Sequence, residues 1–388
     1  LGRAHTGKSA RIRAELRALQ AAGERAILIV PEQYTFETER TLAESLGGLI
    51  GVQVLSFERL AERVLALSGQ ERPFLSAQGH RMLLKRAALA RQDELRALGG
   101  IVSQPGFADT MLRLIGDLKR SGLSPEDIHL AAEKLAGHPA LGDKLYDIAA
   151  LYRDTEDYLS GRYLTGDDTM TAAIECIPQS FLQDIPIYID DIDLASQQLY
   201  ALMAALLRTA KTVTVALRVD RRAVADADVF APDMRICAQL EELAASLGSP
   251  LTMTDCAPEP RQTAPTVAHL ERNLFACPLE PYEAPPDGLT LYGASNRVRE
   301  AEALASAVLA AAHGGLRYRE MAVIASDMAA YAPLIERAFS RRGIPLFLDS
   351  KRPVTGHVAA DALLSAVQTV AGGYRAADLL QLAKTGCA

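Results

Sequence analysis

The chain has 388 residues, 49% of them hydrophobic and 23% charged, and this balance excludes extensive disorder and predicts two or three packed domains. Its net charge of −7 excludes a generally basic coat for nucleic acids, although local basic faces stay open. No apolar run reaches roughly 18 residues and the start resembles no signal peptide, so we expect a cytoplasmic protein without a membrane span. The five cysteines form no CxxC pair, so neither a zinc site nor a disulfide framework is expected.

The first 67 residues predict the beginning of a parallel α/β sheet. A glycine-rich turn leads into a helical pattern from Lys8 to about residue 22. Short apolar runs at residues 26–30 and 52–57 predict buried strands, and a helical pattern follows the second. Alternation of strands and helices at this spacing is typical of a parallel sheet covered by helices.

Residues 68–176 differ in character and predict an all-helical insertion. Strand-like runs are missing there, and glycines and prolines divide the helical patterns. Ser124, followed by Pro125 and two acidic residues, predicts a helix start, because serine caps a helix and proline fits its first position.

Sheet signals return after residue 176. Residues 186–191 and 212–217 predict two strands, with a helix over residues 195–209 between them. This alternation continues the pattern of the first 67 residues, so we expect these strands to join the same sheet.

Seven of the 19 prolines lie between residues 258 and 286 and predict a linker. Beyond it, apolar runs at residues 289–294, 321–325 and 345–349 alternate with helical patterns. They predict a second α/β unit.

Residues 2–9, GRAHTGKS, match the phosphate-loop pattern GxxxxGK[ST]. Glycines let backbone amides wrap phosphates, Lys8 reaches the terminal phosphates, and the Ser9 hydroxyl ligates Mg²⁺. The residues expected to bind ATP are Gly2, Thr6, Gly7, Lys8 and Ser9. A chance glycine turn before a helix is the alternative. A strand normally precedes such a loop, whereas only Leu1 stands before Gly2, and this weakens the expectation of binding.

An acidic residue at the end of a neighbouring strand is the usual partner of a phosphate loop. Asp190 and Asp191 end the predicted strand PIYIDD, and we expect Asp190 on the magnesium side of a degenerate Walker B site. The alternative is that these acids only cap the next helix. A glutamate to orient water is missing after Asp190, and the strand at residues 212–217 continues without a glycine–aspartate pair or a glutamine. Nucleotide binding without efficient hydrolysis is therefore expected.

Seven segments, in chain order, resemble the successive motifs of the AddB family. They are GRAHTGKS, VPEQYTFETER, VLSFERLAERVL, IYIDDIDLASQQ, GASNRVREAEALA, LRYREMAVIASD and IPLFLDSKRPVTGH. The resemblance extends over nearly the whole chain, and the motifs taken together are far more specific than the phosphate loop alone.

The resemblance implies a superfamily-1-helicase-like α/β fold, with a RecA-type P-loop domain, an all-helical insertion and the start of a second RecA-like domain. The expected divisions are residues 1–67 and 177–257 for the first RecA-like domain, 68–176 for the insertion, 258–286 for the Pro-rich linker and 287–388 for the truncated second RecA-like domain.

The resemblance further implies the front part of a helicase–nuclease subunit that pairs with an AddA-type subunit and repairs double-strand breaks by homologous recombination. Such a part binds ATP with Mg²⁺, handles single-stranded and duplex DNA, contributes to Chi recognition and has little helicase activity of its own. The family's nuclease domain and iron–sulfur cluster are not expected within these residues, which carry no cluster-like cysteine spacing.

By the same resemblance, four residues fall where the family contacts single-stranded DNA and Chi: Gln33, Thr35, Phe57 and Arg59. Their amide, hydroxyl and guanidinium groups can recognise base edges, and an aromatic ring can stack on a base. The alternatives are a core position for Phe57 and a surface salt bridge for Arg59. Glu62 and Ile192 depart from the family pattern, which has aromatic residues there.

Two other functions stay open. A stand-alone P-loop NTPase or phosphotransferase would need a compact domain with a complete acidic site, which does not account for the helical insertion. A structural remnant without nucleotide or DNA binding does not account for Lys8 and Ser9.

Overall fold

The computed structural model describes residues 1–70, 72–135, 137–190, 192, 196–256, 264–348, 354 and 356–387. The chain divides into two compact units, Leu1–Gly288 and Leu289–Ala388. Among the described residues, no helix has the length and apolar character needed to cross a bilayer.

Within its described residues, the first unit contains four strands and eleven α-helices. The strands are β1 (Ala26–Ile29), β2 (Val52–Leu55), β3 (Pro186–Asp190) and β4 (Thr212–Ala216). The helices are α1 (Lys8–Ala21), α2 (Thr35–Leu46), α3 (Phe57–Leu67), α4 (Ala77–Ala90), α5 (Phe107–Arg120), α6 (Pro125–Glu133), α7 (Pro139–Leu159), α8 (Gly166–Cys176), α9 (Gln197–Thr209), α10 (Ala227–Ser246) and α11 (Pro265–Asn273). Described residues of the second unit form α12 (Arg297–His313), α13 (Met328–Ser340), α14 (Val358–Ala371) and α15 (Ala376–Lys384).

The four strands form one parallel sheet in the order β2-β1-β3-β4. Ile29 lies beside both Leu55 of β2 and Ile189 of β3, and Asp190 lies beside Ala216 of β4. The predicted parallel α/β sheet is confirmed. Because all strands run the same way, their carboxyl ends meet at one edge, and the segments that follow them share that edge.

Helices cover both faces of the sheet, because successive side chains of a strand point to opposite faces. Ile27 and Ile29 of β1 belong to a core cluster with residues of α3 and α9, including Leu60. Leu28 belongs to a second cluster, with Leu16 of α1. β1 is buried along its whole length, which accounts for its continuous apolar run.

The described residues between 72 and 176 form helices without a ladder of strands; one isolated bridge joins Phe74 and Leu164. A hydrophobic cluster drawn from this segment alone includes Leu84 and Leu151. The predicted helix start at Ser124 is confirmed: Ser124 Oγ accepts from the Asp127 amide at 3.2 Å, and the Asp127 carboxylate accepts from the Ser124 amide at 2.9 Å.

Two predictions need correction. The runs at 289–294 and 321–325, and the described part of 345–349, do not form strands. Leu291, Ile324 and Phe347 in these runs are 98%, 93% and 90% exposed, and no strand among the described residues pairs with the runs. The predicted linker is also not wholly irregular, since α11 begins at Pro265, where proline fits the first helical position.

Candidate functional site

The segment 2–7 forms a turn that only glycine allows at two of its positions. Gly7 caps α1 with φ 78°, a left-handed conformation that favours glycine, and its carbonyl accepts from the Arg11 amide at 2.8 Å. A Cβ on Gly2 would lie 2.3 Å from Thr6 Oγ1. Thr6 is buried and its hydroxyl donates to the Arg3 carbonyl at 3.0 Å. The glycine spacing of the motif therefore has a local structural reason.

Lys8 is held by the same turn. Its Nζ donates to the carbonyl oxygens of Gly2 and Arg3, each at 2.7 Å. Burial lowers the pKa of the Lys8 ammonium below its ordinary value, and the negative charge of Asp190 opposes this effect. The loop lysine and the acid at the end of β3 are thus within electrostatic range of each other.

Asp190 is half-buried at the carboxyl end of β3, whereas Ser9 is exposed in the first turn of α1. The N-terminus of α1 receives no side-chain hydrogen bond at its Gly7 cap. Uncapped amides and the positive end of the helix dipole suit an anion. Asp191, the second acid expected at this site, lies outside the described residues.

No group of three or more His, Cys, Asp or Glu among the described residues could hold a metal by itself. Mg²⁺ is commonly bound through one or two protein oxygens together with phosphate oxygens, so Ser9 and Asp190 suit it only alongside a nucleotide.

A cavity of about 520 Å³ lies next to the loop. It is lined by α1, by the edge of β4 and by residues 249–256. At its mouth the Leu1 ammonium donates to the Thr254 carbonyl at 2.8 Å, and the Leu1 carbonyl accepts from the Cys256 amide at 2.8 Å. These two bonds have the pattern of one rung of a parallel β-ladder. In the described part of the chain, the outer edge of β4 pairs with no strand.

The four residues predicted to contact DNA follow β1 and β2 at the same sheet edge. Gln33 is exposed, whereas Thr35 is buried with its hydroxyl donating to the Glu32 carbonyl at 2.9 Å. Phe57 is half-buried against the larger core cluster, and the exposed Arg59 pairs with Glu32 at 3.3 Å. Gln33 and Arg59 thus present polar groups to solvent, while Thr35 and Phe57 pack inward at least in part.

One group of interacting residues escaped sequence reasoning. Arg3, a variable position of the loop pattern, forms ion pairs with Asp220, Asp226 and Glu271. These carboxylates lie more than 200 residues further along the chain, so no local pattern could have indicated the contacts.

The family model described as ADDB, N-terminal, matches residues 1–271. Three relatives, each named as the B-type component of an ATP-dependent helicase/deoxyribonuclease, are similar to nearly the whole chain. The protein of Pelotomaculum thermopropionicum is 35% identical over 403 residues, that of Desulforudis audaxviator 35% over 402, and that of Geobacillus kaustophilus 33% over 407. Each match covers 99% of this chain.

The chain spans only about a third of the length of these relatives, between 34% and 35%. The family match at residues 1–271 includes the phosphate-loop motif, the whole parallel sheet and the helical segment. Because this match extends over more than half of the 388 residues, the chain belongs to the AddB family.

Proposed function

We propose that the chain is the nucleotide-binding and DNA-handling front part of an AddB-type subunit. It binds ATP with Mg²⁺ through residues 2–9 and Asp190, binds single-stranded DNA at the ends of β1 and β2, and works with an AddA-type subunit at DNA breaks. Its own helicase activity is small, and its fold is a RecA-type P-loop domain with the helical insertion 68–176 and the start of a second RecA-like domain.

One observation carries the nucleotide proposal: Lys8 is held at 2.7 Å by two carbonyls of its own loop, with the charge of Asp190 nearby. An ammonium resting on carbonyls can exchange those partners for phosphate oxygens without a large movement of the backbone. Magnesium would neutralise phosphate charge, with the Ser9 hydroxyl and Asp190 as its protein partners. Without a glutamate after Asp190, these residues support binding rather than fast hydrolysis.

The DNA proposal is supported by the geometry of the sheet edge. Gln33 and Arg59 are exposed on segments that follow neighbouring strands, so both reach the same side of the domain. Binding would require Arg59 to exchange its exposed ion pair with Glu32 for a phosphate or a base, and such exposed pairs contribute only about 0.2–1 kcal/mol. Whether Chi is distinguished from other sequences is part of the same proposal.

The alternative, a stand-alone P-loop NTPase or phosphotransferase, gains no support from a specific observation. Besides the loop, the chain carries a helical segment with a hydrophobic core of its own, drawn from residues 84–152. A small-molecule kinase would have no use for exposed Gln33 and Arg59 at the adjoining edge.

Titration of a fluorescent ATP analogue with Mg²⁺ tests the nucleotide site. Lys8→Ala is expected to weaken binding roughly 10- to 100-fold, since one to two charge-assisted hydrogen bonds are lost. Arg13→Gln is the matched control, because it removes a positive charge from an exposed position of α1. A third protein carries an apolar, strand-forming extension before Leu1, designed to fill the cavity beside β4, and is expected to bind more tightly.

Equal affinities of the unaltered protein and Lys8→Ala would refute the phosphate loop, as would failure of every version to bind, including the extended one.

Single-strand binding is measured separately by the anisotropy of a labelled oligonucleotide. Arg59→Gln should weaken single-strand binding several-fold, whereas Arg17→Gln, at an exposed position of α1, should not. An unchanged anisotropy curve for Arg59→Gln would remove that residue from the DNA site.

A further inference from the structure

The side chain of Arg3 fastens the phosphate loop to distant parts of the first unit. Its Nη2 lies 2.5 Å from Asp226 Oδ2, its Nη1 3.2 Å from Asp220 Oδ2 and its Nε 3.0 Å from Glu271 Oε1. Nη2 also donates to the Glu271 carbonyl at 3.2 Å. The guanidinium carbon lies 4.9 Å from the centroid of the Phe230 ring, within range of a cation–π contact.

In this cluster, Arg3 with Asp220, Asp226 and Glu271, the ion pair of Arg3 and Asp226 is largely shielded from water, whereas the side chains of Asp220 and Glu271 are 25% and 42% exposed. The Arg3 side chain is 18% exposed and that of Asp226 9%. Burial acts to lower the pKa of Arg3, but the hydrogen bonds to its three carboxylates outweigh burial and raise that pKa above its ordinary value. The guanidinium therefore stays charged, and its planar fork meets the carboxylates in fixed directions.

The carboxylates are themselves positioned for this contact. Asp226 is the cap residue of α10, yet its side chain makes no capping hydrogen bond and contacts Arg3 instead. Asp220 is held by its own turn, since its Oδ1 accepts from the Arg222 amide at 3.0 Å. Glu271 belongs to α11 and contributes both its carboxylate and its main-chain carbonyl. Three separate segments thus converge on one side chain.

The backbone of Arg3 carries the other half of the connection. Its carbonyl accepts from Lys8 Nζ at 2.7 Å and from Thr6 Oγ1 at 3.0 Å. Fixing the Arg3 side chain therefore fixes the carbonyl on which the Lys8 ammonium rests. A loop held in one conformation before binding loses less conformational entropy when a ligand arrives.

We propose that Arg3 is a positioning residue of the nucleotide site, which clamps residues 2–8 onto α10 and α11 and so makes nucleotide affinity depend on side chains that touch no phosphate. This inference rests on the proposed nucleotide binding, but the clamp itself is measurable without a nucleotide.

The test compares Arg3→Gln, Asp226→Asn and the double variant with Arg13→Gln as the charge-loss control. Hydrogen exchange of the amides in residues 2–8, measured without nucleotide, is expected to rise about tenfold in either single variant and to stay unchanged in the control. The dissociation constant for the ATP analogue should rise about tenfold as well, because each single variant removes the same buried ion pair.

The double variant shows whether Arg3 and Asp226 act through one shared contact. If the ion pair acts as one unit, the double variant binds the nucleotide no more weakly than the worse single variant, whereas independent effects would multiply. Glu271→Gln, a milder change at a partly exposed partner, is expected to weaken affinity about two- to threefold and serves if Arg3→Gln fails to fold.

Unchanged exchange of residues 2–8 in Arg3→Gln and Glu271→Gln would overturn the clamp. Faster exchange with unaltered nucleotide affinity would confine Arg3 to a structural role and overturn its positioning role. If no version of the protein binds nucleotide, the proposed function fails, and the positioning role fails with it; the exchange data then still report whether the ion pairs hold the loop.

Discussion

Replacing Gly2 with alanine is the sharpest test of how the loop at residues 2–7 packs. The added Cβ would lie 2.3 Å from Thr6 Oγ1, 3.1 Å from Thr6 Cβ and 3.3 Å from the Cys256 carbonyl, whereas ordinary contacts begin at 3.4 Å. The hydroxyl must therefore retreat by about 1 Å, and it loses its hydrogen bond to the Arg3 carbonyl. Overpacking of this kind costs about 1–3 kcal/mol.

The free energy of opening of the loop and α1, measured by hydrogen exchange, should fall by that amount in Gly2→Ala. Nucleotide affinity should fall about tenfold, since the Gly2 carbonyl also holds Lys8. Gly166→Ala is the matched control, because a Cβ there meets nothing within 4 Å.

Thr6→Ala in the Gly2→Ala background removes the atom at 2.3 Å and should recover part of the lost stability, leaving the milder contacts with the Cβ of residue 6 at 3.1 Å and the Cys256 carbonyl at 3.3 Å. The packing explanation is wrong if the amides of the loop and α1 exchange as slowly in Gly2→Ala as in Gly166→Ala. It is also wrong if Thr6→Ala destabilises the Gly2→Ala variant by as much as it destabilises the unaltered protein.

Two further predictions concern the helical segment. Burial, aided by the charge of Lys119, lowers the pKa of His80 below its ordinary value of 6.5. The unfolded chain therefore binds a proton more readily than the folded one, and the stability present above pH 6.5 should be lost as the pH falls below it. Thermal unfolding measured against pH should show this loss, and His80→Leu should reduce it. The carboxylate of Asp147 is fully buried and accepts hydrogen bonds from the amides of residues 96–98 at 2.8–2.9 Å. Asp147→Ala should therefore lower the stability measured by hydrogen exchange by about 3 kcal/mol. The control Asp143→Ala, which removes an exposed ion pair, should lower it by less than about 1 kcal/mol.

Local patterns were sufficient for the sheet and for the start of α1. The continuous apolar run before Pro31 predicts a strand buried on both faces, and β1 is such a strand. The Ser124 capping box depends only on residues within one turn, so it too could be predicted from the sequence. The glycine-rich turn before Lys8 likewise predicts where α1 begins, and the structure shows Gly7 capping that helix in a left-handed conformation.

Local patterns could not predict the structure of the apolar runs in the second unit. An apolar run predicts that a segment can be a strand, but a strand also requires a partner for its amides and carbonyls. Leu291 and Ile324 lie in such runs and are almost fully exposed, with no strand of the described chain beside them. The same limit applies to Arg3, because its three carboxylates are close in space and distant in sequence.

The order of the sheet gives the candidate site its arrangement. β1 lies between β2 and β3, so Gln33 after β1 stands between Arg59 after β2 and Asp190 of β3. Neighbouring strands lie about 4.8 Å apart, so Asp190 at the end of β3 is two strand spacings, about 10 Å, from the end of β2, after which Arg59 follows in α3. Each proposed set has its own cation, Lys8 of α1 for phosphate and Arg59 of α3 for DNA, so replacing one leaves the helix that carries the other intact. The two proposed activities can therefore be tested separately on one folded domain.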